Sequence, residues 1–291
     1  MSHGNGHPYS WSAICNGYSI KNMKSCPFPV ISKYLGDQKW PEAKIKGVEV
    51  SHIWTQDKDL SRHIARSSLI PNIAESPYEM IGGVDGILLA RDDSENHYKL
   101  AKPFLEAGLP IYIDKPIATS LSDLDLLYKH QKYDGQIFTC SALRYARELK
   151  VSNADKQVLG RIKNIEAITP KSWKKYGIHI IEPFLNILDR SDVIKSFKSI
   201  QLLETGSKLS LKYKNGMTAT LEASGQDEFP SSISIKVNGE LSSKLYIFND
   251  AFSAFKLALC DFIFGINNNS CQSSKLFNKQ AVSIIEMGNN I

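Results

Sequence analysis

No uninterrupted apolar run in this chain approaches the roughly 20 residues that a membrane-spanning helix needs. The opening Met1-Ser2-His3-Gly4 lacks the basic and apolar regions of a secretory signal. Both absences point to a cytoplasmic protein with no membrane partner. Cysteine is scarce: five residues, an odd number, lie scattered at Cys15, Cys26, Cys140, Cys260 and Cys271. No paired metal-type spacing joins them, which argues against a disulfide scaffold or a zinc site and predicts inert, reduced, buried thiols. Charge of one sign is lacking as well. The net charge is +5 with dispersed lysines, so no nucleic-acid partner is indicated. Internal repeats and low-complexity segments are absent.

What is present is an ordinary globular composition, 42% apolar and 22% charged over 291 residues, enough for two domains with a core each. The organising stretch is Ile111-Tyr112-Ile113-Asp114-Lys115-Pro116, a β-rich apolar run that ends in an acid, a base and a proline. Upstream, Gly86 to Ala90 reads as a buried strand, and the amphipathic segment around Tyr98, Ala101, Phe104 and Leu105 reads as a helix ending at Gly108. Pro103 within that helix removes a backbone hydrogen bond and puts its continuity in question. A strand, crossover helix, strand unit of this kind delivers Lys115 to the carboxyl edge of a parallel sheet, where ligands of open α/β sheets bind.

At the start, Gly4-Asn5-Gly6-His7-Pro8-Tyr9 is similar to a G-x-G-x-x-G phosphate loop with tyrosine at the third glycine. Such a loop lets the backbone approach a pyrophosphate, and the segment from Ser10 would present free N–H groups to it. The loop should follow a buried strand, yet three residues precede Gly4. The strand there is expected to be absent or rudimentary, and a glycine-rich coil is the alternative. Gly47 to Trp54 reads as the second strand, with His52 as a core histidine, and Ser61 to Ser67 as a short helix. Thr55, Gln56 and Asp57 follow it. Asp57 stands where a carboxylate takes the adenosine ribose, or it is a solvated loop acid. Arg91-Asp92-Asp93 leaves the strand from Asp85 to Ala90 and is placed either against a nicotinamide half or in solvent.

A capping signal at Ser120-Leu121-Ser122-Asp123 opens a helix reaching His130, and Gln136 to Cys140 reads as a further strand. From about Leu143 the pattern changes. Ile162 to Ile168 alternates, and later runs are joined at Asn215-Gly216 and Asn238-Gly239, both hairpin signals. Phe252 to Phe264 and Phe277 to Met287 read as covering helices. The fold class is therefore α/β: a Rossmann-like doubly wound parallel sheet over 1–143, then an α+β domain with an open antiparallel sheet over 144–291. An open sheet face suggests self-association, as a dimer or tetramer.

With Asp114-Lys115-Pro116 after a βαβ unit and His179 opening a later helix, the chain resembles the glucose-fructose oxidoreductase, inositol dehydrogenase and rhizopine-catabolism (Gfo/Idh/MocA) family. The resemblance runs over nearly the whole chain. It implies NAD or NADP, a sugar, sugar nucleotide or cyclic polyol as substrate, and hydride transfer at a carbinol or ketone. It implies Lys115 and His179 as catalytic residues, and a cofactor held by Gly4, Asn5, Gly6, His7, Asp57, Arg91, Asp114, Lys115 and Pro116. It also suggests a cis Lys115-Pro116 bond. The chemistry needs a base beside the carbinol, and lysine or imidazole serves. Lys175 departs from the aspartate common in that family four positions before the histidine, as do Tyr9 and Thr55 on the cofactor side. Lys171, Lys174 and Lys175 either steer a phosphorylated sugar or form a solvated loop.

Overall fold

The computed structural model describes residues 5–189, 192–203 and 205–289. Its elements in chain order begin with α1 (His7–Asn16), α2 (Ile20–Met23), α3 (Pro29–Gly36), β1 (His52–Ile53), α4 (Lys58–Ser67) and β2 (Asn72–Ile73). Then come β3 (Ile87–Leu89), α5 (His97–Ala107), β4 (Ile111–Ile113), α6 (Leu121–Lys129), β5 (Ile137–Phe138) and α7 (Asn153–Leu159). The rest is β6 (Ile162–Thr169), α8 (Trp173–Tyr176), α9 (Ile178–Ile187), β7 (Ile194–Leu202), β8 (Gly206–Tyr213), β9 (Thr218–Ala223), β10 (Ser234–Gly239), β11 (Ser243–Ile247), α10 (Ala251–Asn268) and α11 (Lys275–Asn289). Two compact units share them by exchanging chain. One takes the chain through Asp114, Leu126–Thr139 and Phe255–Ser273; the other takes Lys115–Asp125, Cys140–Ala254 and the part from Ser274.

In the first unit β3, β4 and β5 form a parallel sheet in which Ile87 faces Ile111 and Ile111 faces Ile137. Both faces are covered, so the strands read as continuous apolar runs. Tyr112 anchors the core, stacked on Trp11 at 4.5 Å and edge-on to Phe138 at 4.7 Å. The helix ending at Gly108 is present: that glycine adopts φ +83°, the left-handed cap that spares a β-carbon. Pro103 sits inside α5 without interrupting it.

β1 and β2 form a separate parallel pair, with His52 opposite Asn72 and Ile53 opposite Ile73. The strand expected from Gly47 to Trp54 is thus only two residues of ladder. The reason lies in its partners: the Asn16 side chain donates to the Val50 carbonyl at 2.9 Å and accepts from its amide at 2.8 Å, capping the run before it can pair. His52 is half-buried rather than core, its Nδ1 at 2.9 Å from Ser51 Oγ. Of the cysteines, Cys15, Cys26 and Cys140 are buried and in no disulfide, and burial pushes Cys15 up to about 12; contrary to expectation, Cys260 is half-buried and Cys271 exposed.

The second unit is built on a six-stranded sheet ordered β11-β10-β6-β9-β8-β7. It is mixed rather than purely antiparallel, because β6 and β9 at its centre run parallel. Asn215-Gly216 does turn the chain from β8 into β9, with Gly216 at φ +86°. Asn238-Gly239 does not turn. Asn238 still pairs with Ser243, and the turn closes beyond it through the Gly239 amide on the Ser242 carbonyl at 2.9 Å. Gly239 is required by crowding, since a β-carbon there would lie 2.0 Å from the Leu159 carbonyl oxygen.

α11 locks onto this unit through Trp173, whose indole N–H donates to the Ile285 carbonyl at 2.9 Å. A β-carbon on Gly288 would stand 2.2 Å from the same ring. Gly288→Ala is therefore expected to destabilise the protein by about 1–3 kcal/mol, the usual cost of overpacking. Thermal unfolding checks this, and an unchanged midpoint would contradict the contact.

Candidate active site

The carboxylate of Asp114, at the exit of β4, is fully buried and collects the N-terminal loop. Asn5 Nδ2 donates to Asp114 Oδ2 at 3.0 Å and the His7 imidazole bonds the same oxygen through Nδ1 at 2.7 Å. Asn5 Oδ1 accepts from the His7 amide at 2.8 Å, and the imidazole stacks on Trp11 at 4.8 Å. Asn5, His7 and Asp114, expected at the cofactor, are thus one hydrogen-bonded cluster. Gly4 lies outside the described residues.

The phosphate loop differs from expectation in its donors. α1 begins at His7 rather than near Ser10, and the amides of its first turn are committed: His7 to Asn5, Tyr9 and Ser10 to the Gly6 carbonyl, while Pro8 has none. Gly6 is needed for packing, since a β-carbon there would meet Ile31 Cδ1 at 2.6 Å and the Phe28 ring at 3.0 Å. Tyr9 is accounted for by α4: its hydroxyl bonds His63 Nδ1 at 2.7 Å, and His63 Nε2 bonds Ser25 Oγ at 2.9 Å.

Asp57 is an exposed helix cap, its Oδ1 accepting from the amides of Asp59 at 2.9 Å and Leu60 at 3.2 Å. Thr55 is buried, its hydroxyl donating to the Asp57 carbonyl at 2.5 Å. Asp57→Ala is expected to cost about 1 kcal/mol through the lost cap, and Asp57→Ser only a few tenths. If Asp57 also binds the ribose, dinucleotide affinity falls in both variants. Calorimetry alongside thermal unfolding separates the two roles.

Arg91 is buried, not a solvated loop residue. Its Nε donates to Asp93 Oδ1 at 2.7 Å, and its carbonyl lies 2.9 Å from Nε2 of the buried His97. Burial works against the charge on Asp93, yet the bonds from Arg91 and Asn96 hold its carboxyl below the usual range. Arg91 Nη1 is buried with no hydrogen-bond partner among the described residues. A buried, unsatisfied guanidinium nitrogen at the carboxyl end of a parallel strand fits an anionic dinucleotide, because strand ends of this kind carry the ligand in doubly wound folds.

In the second unit Lys115 is buried and joined to Pro116 by a cis bond. Its ammonium lies 6.0 Å from the centre of the Tyr176 ring, and that ring meets the His179 ring at 5.1 Å, edge-on. Tyr176 is held by Lys171, whose Nζ donates to the phenol at 3.0 Å. Burial works against the Lys171 charge, but Tyr176 and Asp227 outweigh it and raise its pKa. Lys171 thereby separates from Lys174, which is exposed, and Lys175, which is half-buried.

His179 opens α9, and Glu182 lies three residues on, so both project from neighbouring positions of one helix face. Ser141 joins them: its Oγ lies 2.8 Å from His179 Nδ1, and its amide donates to Glu182 Oε2 at 2.9 Å. Arg144 Nε donates to the same carboxylate oxygen at 2.8 Å, and its guanidinium lies 4.4 Å over the Phe277 ring. Burial raises the Glu182 carboxyl above its ordinary range, against the pull of Arg144. Ser141, Arg144, Tyr176 and Glu182 were missed in the sequence. Only Glu182 left a signal, a carboxylate one turn after His179 within an apolar helix.

Residues 33–141 match the model of a family described as an oxidoreductase family with an NAD-binding Rossmann fold. This segment is similar to that family, Gfo/Idh/MocA. No curated protein matches the chain. Among solved structures it is similar to myo-inositol 2-dehydrogenase from Lactobacillus plantarum, at 14% identity and a TM-score of 0.68, over 84% of this chain and 91% of that one. It is also similar to a myo-inositol dehydrogenase from Lactobacillus casei solved with NAD(H) and myo-inositol, at 14% identity and a TM-score of 0.68, over 84% and 87%. A UDP-N-acetylglucosamine 3-dehydrogenase from Acidithiobacillus ferrooxidans follows, at 12% identity and a TM-score of 0.63, over 81% and 88%. The fold of these solved structures is thus shared across most of the chain.

Proposed function

We propose that the protein transfers hydride between NAD(P) and a carbinol or ketone carbon of a sugar, sugar nucleotide or cyclic polyol. The observation that supports this most is the Lys115, Tyr176, His179 group, with the imidazole steered by Ser141 and the Glu182–Arg144 pair. When bound, the cofactor supplies the hydride acceptor or donor. The chain supplies the proton handling. Lys115 orients the substrate hydroxyl and exchanges its proton, and His179, its Nδ1 held at Ser141, relays that proton. Arg91 and Lys115 balance the negative charge of the dinucleotide; Asn5, Gly6 and His7, tied to Asp114, shape the loop beside it, Pro116 continues from Lys115, and Asp57 takes the ribose. We place the protein in the cytoplasm as a homo-oligomer, with Ile200, Leu245 and Ile247 exposed on one face of the open sheet as the contact.

The test is nicotinamide absorbance across a panel of polyols, sugars and sugar nucleotides with each dinucleotide. Saturating substrates that leave the absorbance flat, with cofactor bound, would refute it. A second reading, a dinucleotide or metabolite binder without turnover, is favoured by the committed amides of the phosphate loop. Calorimetric binding with no conversion of any substrate supports that reading instead.

A further inference from the structure

Lys171 lies where the chain leaves β6 for α8, and its main chain is fixed on both sides. Its amide donates to the Gln226 carbonyl at 2.7 Å, and its carbonyl accepts from the Gly225 amide at 2.9 Å. Both partners follow β9 in the same second unit. Held in this way, Lys171 takes φ +64°, the left-handed region that Gly225 also occupies, at φ +78°. Glycine enters that region freely, whereas a β-carbon there raises the backbone energy. Strain by itself assigns nothing: Leu69 and Leu203 share the conformation, and both are exposed.

Lys171 differs from those two in where its side chain goes. Its Nζ donates to the Tyr176 phenol oxygen at 3.0 Å and lies 4.8 Å from the centre of the same ring. Glycine and asparagine, the residues that suit the left-handed region, carry no cation to place there. The ring that Lys171 holds is the one that meets both residues assigned to the proton. Lys115 Nζ stands 6.0 Å from its centre, and the His179 imidazole 5.1 Å away with 70° between the ring planes. α8 fixes the backbone of Tyr176, whose amide donates to the Ser172 carbonyl at 2.8 Å. Lys171 fixes the far end of the side chain.

We propose that Lys171 is a positioning residue for the proton-handling group. Its strained backbone is kept in order to set an ammonium on the Tyr176 hydroxyl, and Tyr176, so fixed, holds Lys115 and His179 in their working arrangement. The inference rests on the hydride-transfer reading above and adds to it a residue that touches neither substrate nor cofactor. Every group it invokes belongs to the second unit.

Four variants test it: Lys171→Gly, Lys171→Met, Lys171→Arg and Tyr176→Phe. Lys171→Gly relieves the strain and removes the ammonium, so its unfolding midpoint is expected to match wild type or exceed it by up to about 4 °C. Its kcat on a responsive polyol or sugar is nevertheless expected to fall by about tenfold to 100-fold, the effect of a misplaced group. Calorimetric dinucleotide affinity should be unchanged. Lys171→Met keeps the strain and should lose as much turnover. Lys171→Arg still offers the phenol an N–H and should recover kcat to within about threefold of wild type. Tyr176→Phe removes the other half of the same bond, so combining it with Lys171→Met should add nothing to either loss. A readout without substrate is the His179 ring-proton resonance, identified by its disappearance in His179→Gln and shifted by the neighbouring Tyr176 ring. It is expected to move in Lys171→Gly and Lys171→Met and to return in Lys171→Arg. A midpoint that falls along with kcat in Lys171→Gly would make the contact structural and overturn the proposal. Wild-type kcat in Lys171→Met, additive losses in the double variant, or an unmoved His179 resonance would each overturn it too. Wild type that binds dinucleotide and converts nothing would instead refute the redox reading, and the His179 resonance then decides the placement by Lys171 alone.

Discussion

Lys115→Met is expected to lower turnover by about 100-fold or more, the scale of a general acid-base contribution, while leaving the unfolding midpoint close to wild type. Methionine retains most of the stem's length at this buried position and removes only the ammonium. Dinucleotide binding should survive, because Arg91 and the Asn5, His7, Asp114 cluster are untouched. His179→Ala should fall in the same range, and the double variant should be less than additive if the two residues act as a unit around Tyr176. The measurements are kcat and KM with a responsive polyol or sugar, and calorimetry for the cofactor. Turnover within a factor of about three of wild type in Lys115→Met would remove the lysine from the chemistry, since acid-base groups contribute far more than that. Strict additivity would separate the roles of the two residues.

Arg144→Leu is the larger effect on stability. The substitution leaves Glu182, 2% exposed, without its ion pair. Breaking a buried pair from one side costs about 3–5 kcal/mol, because the remaining charge is uncompensated. The sign of the pH dependence follows from the direction of the shift. Glu182 is raised above its ordinary 4.5, so the folded state binds the proton more tightly than the unfolded chain. The stability that comes from that proton is present below 4.5 and is lost as pH rises through the folded value. Without Arg144 the folded value moves further up, so the deficit of Arg144→Leu should be smaller at pH about 5 than at pH about 8. Adding Glu182→Gln should recover much of the loss at neutral pH while keeping an acceptor for the Ser141 amide. Denaturant unfolding at the two pH values checks both statements; a deficit independent of pH, or no recovery in the double variant, would locate the effect in Phe277 packing instead. Turnover gives a second readout, because Glu182, which accepts from the Ser141 amide beside the imidazole, loses the guanidinium that holds it.

Much of this was legible from residues alone, and it was the part set by short-range physics. Ile111 to Ile113 reads as a buried parallel strand because a run of three bulky β-formers has no polar face to expose, and it is one. Gly108 reads as a helix end because the left-handed cap favours glycine, and it ends α5. Asn215-Gly216 reads as a tight turn for the same reason. Lys115 and His179 were singled out by their places at a strand exit and a helix start, and both flank the ring of Tyr176.

Contacts between residues distant in sequence decided the remainder. Asn238-Gly239 carries the same local signal as Asn215-Gly216, yet its glycine answers to the Leu159 carbonyl, a neighbour that the local pattern does not reveal. Arg91 looked like one of three loop charges, and only the packing of Asp93 and His97 against it shows a buried guanidinium. Ser141, Arg144 and Glu182 are ordinary residues in the sequence; they become the support of His179 because the turn after β5 and the first turns of α9 meet. The phosphate loop was recognisable by its glycines, but whether its amides are free is a question of which side chain reaches them, and Asn5 does. Sequence alone determined the local elements and the chemical character of the site, because backbone preference and hydrophobic periodicity act within a few residues. Tertiary structure decided which polar groups are satisfied, because those depend on partners that the chain brings together only on folding.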